Sequence, residues 1–306
     1  MRAGFPDWIT GMTDSPPPAW TDDLFRFATP SAFAALVEIA WQANTQDEYY
    51  DTCMMQTHYD FMFDLWAIPR PPQGWEDQEG SEFVDVPPEP PFFATPEFVP
   101  FGSLGDGTCI GWAVPAPELG GADHPVVLVG PDEPGAVVVG QDTRAGLEFM
   151  LSRTLRRWRE RPPSRDDREL LDRLVAEVGL RPDPDRELAT DAPIPFEVPA
   201  GWRHESSADG IGVLAPDDAF TDEGAVVADV PWGKPWALEP VLDDASQLLD
   251  AGYPATALLG LRDTFHTSYP YFSELRPLWA RAYRDLGRPQ LAEDLDLMTP
   301  VYERVR

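Results

Sequence analysis

The clearest alternation of apolar and polar segments lies between residues 95 and 160. Three short apolar runs, 109–114, 124–129 and 136–139, are separated by stretches rich in glycine and proline, a pattern typical of strands joined by turns. A helical stripe then follows from Thr143 and consists of Leu147, Met150, Leu151, Thr154, Leu155 and Trp158. We therefore predict an α+β unit in which a central, antiparallel-rich sheet precedes a helix.

Two further helices are predicted before this sheet. Ser31 is a suitable N-cap for the first of them. Its apolar face consists of Phe33, Leu36, Val37, Ala40 and Trp41. The second helix is predicted from Asp47 to Trp66, and the proline-rich residues 69–95 connect it to the sheet. After the sheet and its helix, a short helix is predicted from Ser164.

The C-terminal third contains an internal repeat. Gly252-Tyr-Pro-Ala-Thr-Ala257 recurs as Gly287-Arg-Pro-Gln-Leu-Ala292, and an apolar helical pattern precedes each copy. Glycine just past one helix and proline at the start of the next are the preferred residues at those positions. The spacing is close to that of tetratricopeptide repeats, so residues 236–306 are predicted to form TPR-like helical hairpins. Residues 181–235 are predicted to be a linker with short strands or a covering loop, and residues 1–20 a flexible arm.

The sheet region resembles a known family. Pro96–Gly102, the Gly105-Asp106-Gly107 turn, His124–Val127, the strand at 136–139 and the helix from Thr143 are similar to the central sheet of SMI1/KNR4-like (SUKH superfamily) domains. The resemblance covers roughly residues 95–155 and implies an SMI1/KNR4-like α+β domain over residues 21–180. It further implies a non-catalytic protein-binding module, because bacterial members of this group act as immunity proteins that bind a cognate toxin.

The charge of the chain restricts its partners. The formal net charge is −30, and residues 1–150 carry most of it. Such a field repels nucleic acid and anionic membranes, so we expect neither as a partner, and it attracts a basic protein such as a nuclease toxin. Acids and aromatics suit that interface, and the predicted contact residues are Asp47, Glu48, Tyr49, Asp106 and Trp112.

Candidate catalytic groups are few. The glycines at 102–107 lack the lysine and hydroxyl residue of a phosphate-binding loop, and the four histidines have no metal-binding spacing. We therefore expect no enzyme activity, cofactor or metal. Two alternatives stay open. A regulatory adaptor would bind through the C-terminal helices, and a metal-dependent hydrolase would use the i,i+4 acid pairs Asp47/Asp51 and Asp60/Asp64, with His58 nearby.

The chain has no apolar run of transmembrane length, and the N-terminus lacks an apolar signal core. A cytoplasmic protein is therefore expected. Cys53 and Cys109 form no CxxC pattern and are predicted to be reduced, buried thiols.

Overall fold

A computed structural model describes residues 30–36, 54–55, 64–66, 95–103, 108–121, 123–130, 135–160, 162, 165–185, 194, 196–231, 233–268 and 271–295. Helix α1 covers residues 31–36. Six strands then form one antiparallel sheet in which spatial order follows chain order. They are β1 (Met54–Met55), β2 (Asp64–Trp66), β3 (Phe98–Ser103), β4 (Cys109–Ala113), β5 (Val126–Val129) and β6 (Ala136–Gly140). The prediction of an α+β protein is confirmed.

The prediction of a helix from Asp47 to Trp66 is wrong at the residues that the structure describes. Met54 and Met55 pair with Trp66 and Leu65, and Asp64 pairs with Ser103 of β3. The helix was inferred from acids and apolar residues at helical spacing. The segment is also rich in aromatic residues, which favour strands. The pairing of β2 with β3 favours the strand over the helix, because it satisfies backbone N–H and C=O groups of both segments.

Helix α2 (Thr143–Glu160) covers the sheet at close range. A Cβ atom at Gly146 would lie 2.6 Å from the Cβ of Val126, so only glycine lets the helix approach β5 this closely. The core beneath α2 centres on three aromatic rings. The Trp112 ring centroid lies 4.4 Å from that of Phe101 and 4.9 Å from that of Phe33. Helix α1 is thereby tied to the sheet through Phe33, which is buried.

The C-terminal half is mainly helical. Helix α3 (Arg165–Val178) and the hairpin of β7 (Trp202–Glu205) and β8 (Val213–Pro216) come first. They are followed by α4 (Glu239–Asp250), α5 (Pro254–Ser268), α6 (Phe272–Asp285) and α7, which covers residues 289–295.

The two copies of the sequence repeat end their helices in the same way. The N–H of Tyr253 donates to the carbonyl of Leu248 at 2.9 Å, and the N–H of Arg288 donates to that of Tyr283 at 2.7 Å. The glycine between each pair has positive φ, +87° at Gly252 and +77° at Gly287. This is the Schellman geometry, in which glycine adopts the left-handed conformation after the last helical turn. The repeat therefore forms two helical hairpins, as its glycine and proline spacing predicted.

Residues 213–230 pack on these helices. Val213, Ala215, Phe220 and Val230 belong to the same buried cluster as the apolar faces of α4, α5 and α6. Residues 221–231, named here the covering segment, have no regular secondary structure and lie over α4 and α5. The sequence pattern between residues 196 and 230 predicted a few strands or a covering loop, and the structure has both, the β7–β8 hairpin and the covering segment. No helix in the described part of the chain is both long and apolar enough to cross a membrane.

Candidate protein-interaction site

Of the five residues predicted to contact a partner, the structure describes one. Asp47, Glu48, Tyr49 and Asp106 lie outside the residues that the structure describes. Trp112 is described, and its side chain is completely buried. Its assignment to a contact surface is therefore corrected, because every residue of β4 is buried and the strand has no solvent-facing side.

The buried indole of Trp112 begins a chain of hydrogen bonds that ends at the exposed residue Asp123. Its Nε1–H donates to Oγ1 of Thr143 at 2.8 Å. The hydroxyl of Thr143 donates in turn to Oδ1 of Asp123, which also accepts the N–H of Thr143 at 2.9 Å. Asp123 thereby holds the first residue of α2 against the end of the loop before β5. The next residue, His124, has its pKa lowered by burial, an effect that Asp123 partly offsets.

The acid pairs proposed for a hydrolase are only partly visible. Asp47, Asp51, Asp60 and His58 lie outside the described residues, while Asp64 lies in β2. Asp64 is therefore not on a helix, and the i,i+4 geometry that suggested paired carboxylates does not hold at that residue. Among the described residues, no group of three histidine, cysteine or acidic side chains is placed to hold a metal ion. Cys109 is buried, as predicted, and Cys53 lies outside the described residues.

A charged cluster that the sequence did not predict joins the sheet to the helices. The guanidinium of Arg262, in α5, directs donors at the carboxylates of Glu97 and Asp209. The side chains of Arg262, Glu97 and Asp209 are 0%, 1% and 2% exposed, respectively. Glu97 lies just before β3, and Asp209 lies in the turn between β7 and β8. Three separate parts of the chain therefore meet at one arginine.

All five N–H donors of Arg262 have acceptors, which is the condition for burying a guanidinium. Nε donates to Oδ2 of Asp209 at 2.7 Å, and Nη2 donates to the same oxygen. Nη1 donates to Oε1 of Glu97 at 2.7 Å and to the carbonyl of Gly212 at 2.9 Å. The remaining Nη2 hydrogen faces Oγ1 of Thr95 at 3.4 Å. The cluster is thus a fully paired network in the interior.

The two carboxylates respond differently to the same arginine. Burial raises the pKa of Glu97 above its ordinary value, and the attraction of Arg262 only partly reverses this. Burial also acts to raise the pKa of Asp209, but Arg262 and the hydrogen bonds from Ser207 and Gly212 outweigh it, so this pKa is lowered. Tyr283 donates its hydroxyl to Oε2 of Glu97 at 2.8 Å. Burial, and then the nearby Glu97, raise the pKa of Tyr283 well above its ordinary value.

A second arginine links the same two parts of the molecule. Arg288, at the turn between α6 and α7, donates from Nε to Oε1 of Glu118 at 2.8 Å and from Nη2 to the carbonyl of Leu214.

The sequence signal that could have revealed Arg262 is a charged residue within an apolar helical stretch, because Leu258, Leu261 and Phe265 lie around it on α5. The network of Arg262, Glu97 and Asp209 is closed to solvent, so it serves as a structural ion-pair cluster between sheet and helices.

Exposed acidic side chains line the covering segment and the residues on either side of it. The acidic surface, as we define it, consists of Asp217, Asp218, Asp222, Glu223, Asp229, Glu239 and Asp243, all of which are exposed. Among the described residues from 217 to 243, Lys234 is the one exposed cation. Half-buried Arg203 approaches Asp222 to 3.9 Å. The remaining charge of this surface faces solvent and is available to attract a cation or a basic protein.

A groove of about 490 Å³ lies between α2 and α3. Leu155, Trp158 and Leu171 form its apolar wall, and Arg159 and Asp172 lie on its rim. Arg159 is held by two hydrogen bonds to Asp185, at 2.6 and 3.0 Å. Arg159, in the last turn of α2, is therefore paired with a nearby acid.

No protein-family model matches the sequence, and no curated protein matches it.

Proposed function

We propose that the protein is a non-catalytic protein-binding module of the SMI1/KNR4-like type, which acts in the cytoplasm as an immunity protein. Its partner would be a basic toxin, such as a nuclease, that it binds and neutralises. The observation that carries the proposal is the acidic surface, whose carboxylates are exposed while the acids Glu97 and Asp209 are buried against arginine.

Charge and chemistry make this partner class reasonable. A nuclease binds its substrate in a cationic cleft, and exposed carboxylates on an inhibitor complement such a cleft. Long-range attraction also speeds the encounter, and it weakens as salt is added. The net charge of −30 gives this protein a field of the required sign.

The resemblance in the sheet region supports the same proposal. Strands β4, β5 and β6 and helix α2 fall on the residues that carry the similarity to SMI1/KNR4-like domains. They form a meander followed by a helix, which is the order that the resemblance implied.

Capture of a partner tests the proposal. Tagged full-length protein would be incubated with lysate of the source organism at low and at high salt, and bound proteins identified by mass spectrometry. We expect one strongly basic protein that is retained at low salt and reduced at high salt. Expression of that protein alone should arrest growth, and co-expression of the present protein should restore it. Recovery of no basic protein would overturn the proposal.

The structure also gives a reason to keep the adaptor alternative. The two helical hairpins, whose turns contain Gly252 and Gly287, have the geometry of a repeat that binds other proteins. Residues 236–306 are unsuitable as an isolated fragment, because cutting them out would leave Arg262 and Tyr283 without Glu97. Point variants in the full chain are therefore the appropriate test. An adaptor would retain its partner when the acidic surface is neutralised.

A further inference from the structure

We propose that the covering segment and Trp236 form the apolar centre of the docking surface for a basic protein, and that the acidic surface surrounds it. This inference rests on the proposed function and locates the contact on the C-terminal half of the chain. The sequence had placed the contact on the N-terminal half.

The covering segment is held in place by side chains of two helices. Three of its backbone N–H groups donate to them: Thr221 to Oγ1 of Thr256 at 2.9 Å, Val226 to Oδ2 of Asp244 at 2.8 Å and Ala228 to Oγ1 of Thr264 at 3.3 Å. Because Thr256 and Thr264 lie about two turns apart on α5, the segment runs along α5 in the same direction. Asp244 ties its middle to α4. The segment is therefore a fixed part of the surface.

Glycine in the middle of α5 lets the segment lie close to the helix. A Cβ atom at Gly260 would come within 2.7 Å of the Cβ of Ala225 and 3.1 Å of the carbonyl oxygen of Val226. Glycine inside a helix is less favourable than alanine by about 1 kcal/mol. The close contact with the covering segment gives a physical reason for glycine at this position.

Two consecutive valines of the segment remain in solvent. Val226 and Val227 are 40% and 50% exposed, whereas Val230 of the same segment is buried. Adjacent exposed branched side chains on a fixed backbone offer apolar contact at little cost in chain entropy.

Trp236 adds an exposed aromatic ring at the N-terminal end of α4. It lies in the 3-10 turn Pro235–Leu238, directly before α4, and is 66% exposed. Asp244, which accepts the N–H of Val226, is eight residues further on, which is about 12 Å along a helix axis. Tryptophan is the residue type that most often dominates the binding energy of protein interfaces.

The negative charge around these apolar residues determines which class of protein can bind to the surface. Two copies of this chain meeting here would oppose the same carboxylates, and an acidic partner would be repelled as well. A partner that places Lys and Arg around an apolar side chain matches both parts of the surface. The described residues thus favour a basic protein over self-association.

The test uses full-length protein and labelled peptide probes. The variant Val226→Ser/Val227→Ser/Trp236→Ser would be compared with Val198→Ser, which changes a valine that is 47% exposed outside the covering segment. Binding would be measured by fluorescence anisotropy with a peptide of alternating Arg and Leu. Peptides of alternating Arg and Ser, and of alternating Glu and Leu, serve as controls. Thermal unfolding would confirm that each variant is folded.

We expect the wild type to bind the Arg–Leu peptide and to bind both control peptides at least about tenfold more weakly, which corresponds to about 1.4 kcal/mol. The triple variant should lose about tenfold in affinity for the Arg–Leu peptide, while Val198→Ser should be unchanged. Failure of the wild type to bind this peptide, or equal binding by the triple variant, would overturn the inference. So would self-association of the wild type that the triple variant abolishes.

Failure of this inference can be told apart from failure of the proposed function. If wild type and triple variant capture the same basic protein from lysate equally well, the proposed function stands and the docking surface lies elsewhere. If the wild type captures no basic protein, the proposed function itself fails.

Discussion

Nη1 of Arg262 lies 2.7 Å from Oε1 of Glu97, although 165 residues of chain separate the two. Both side chains are buried, and they join the start of β3 to helix α5. An ion pair at this position makes the buried part of the contact between sheet and helices dependent on the guanidinium of Arg262.

Replacing Arg262 with methionine should strongly destabilise the protein. The change keeps much of the side-chain volume but leaves Glu97 and Asp209 in the interior without their cation. Breaking a buried pair in this way costs about 3–5 kcal/mol, to be measured as the free energy of unfolding in urea. Arg281→Met is the matched control, because Arg281 pairs with Asp250 at the surface and should lose at most about 1 kcal/mol. Equal losses in the two variants would contradict the structural role of Arg262.

The stability contributed by Glu97 should fall as pH rises. Its pKa is raised in the folded protein above the ordinary value of 4.5, so the folded state binds this proton more tightly than the unfolded state. The contribution is therefore complete below pH 4.5 and is lost as pH rises through the folded pKa. The free energy of unfolding of the wild type, minus that of Glu97→Gln, should decrease over this range. An increase would show that the sign is wrong.

Asp209 should give the opposite pH dependence. Its pKa is lowered from the ordinary value of 3.8, so it contributes stability above that value and loses it as pH falls through the folded pKa. The free-energy difference between the wild type and Asp209→Asn should therefore shrink on acidification. Urea unfolding at a series of acidic pH values measures this. A difference that is constant with pH would contradict the account of Asp209.

Thr143→Val tests the hydrogen bonds at Trp112. The substitution keeps the shape of the side chain, but it removes the acceptor of the indole Nε1–H and the donor to Asp123. Loss of a buried hydrogen-bond partner costs about 1–3 kcal/mol in the free energy of unfolding. Thr154→Val is the control. Thr154 is also buried, but its hydroxyl donates at 3.2 Å to the carbonyl of Met150 within the same helix, so the loss should be smaller.

Gly260→Ala should displace the covering segment. Alanine favours the helix, but its methyl group would overlap Ala225, and such overpacking typically costs about 1–3 kcal/mol. Hydrogen exchange of residues 221–231 should become faster in this variant. Adding Ala225→Gly removes one side of the overlap and should restore much of the protection. Unchanged exchange in Gly260→Ala would mean that the segment does not depend on this close approach.

The parts of the fold that depend on local pattern were predictable from sequence. The apolar runs at 109–114, 124–129 and 136–139 became β4, β5 and β6, and the stripe from Thr143 became α2. The hairpin turns at Gly252 and Gly287 were also predictable, because a Schellman turn needs only a glycine after the last helical turn.

Three features were not predictable because they depend on distant partners. Arg262 meets Glu97 only after the whole chain has folded, and no local pattern links them. Trp112 was predicted to contact a partner because aromatic residues suit protein interfaces, whereas every residue of β4 is buried. The segment around Asp64 has apolar residues at helical spacing and also residues that favour strands. Its pairing with β3 makes it a strand. The division into domains at 181–235 stays a prediction, although two arginines bridge sheet and helices.

The salt dependence of partner affinity tests the central claim most directly. The dissociation constant between the full-length protein and the basic protein captured from lysate would be measured across a series of salt concentrations, for the wild type and for Asp222→Asn/Glu223→Gln/Asp229→Asn. Glu160→Gln, which neutralises an exposed acid on α2, is the control. The account predicts that the wild-type dissociation constant rises steeply with salt and that the triple variant binds more weakly with a shallower dependence. A dissociation constant that does not change with salt, or a triple variant that behaves as the wild type does, would contradict it.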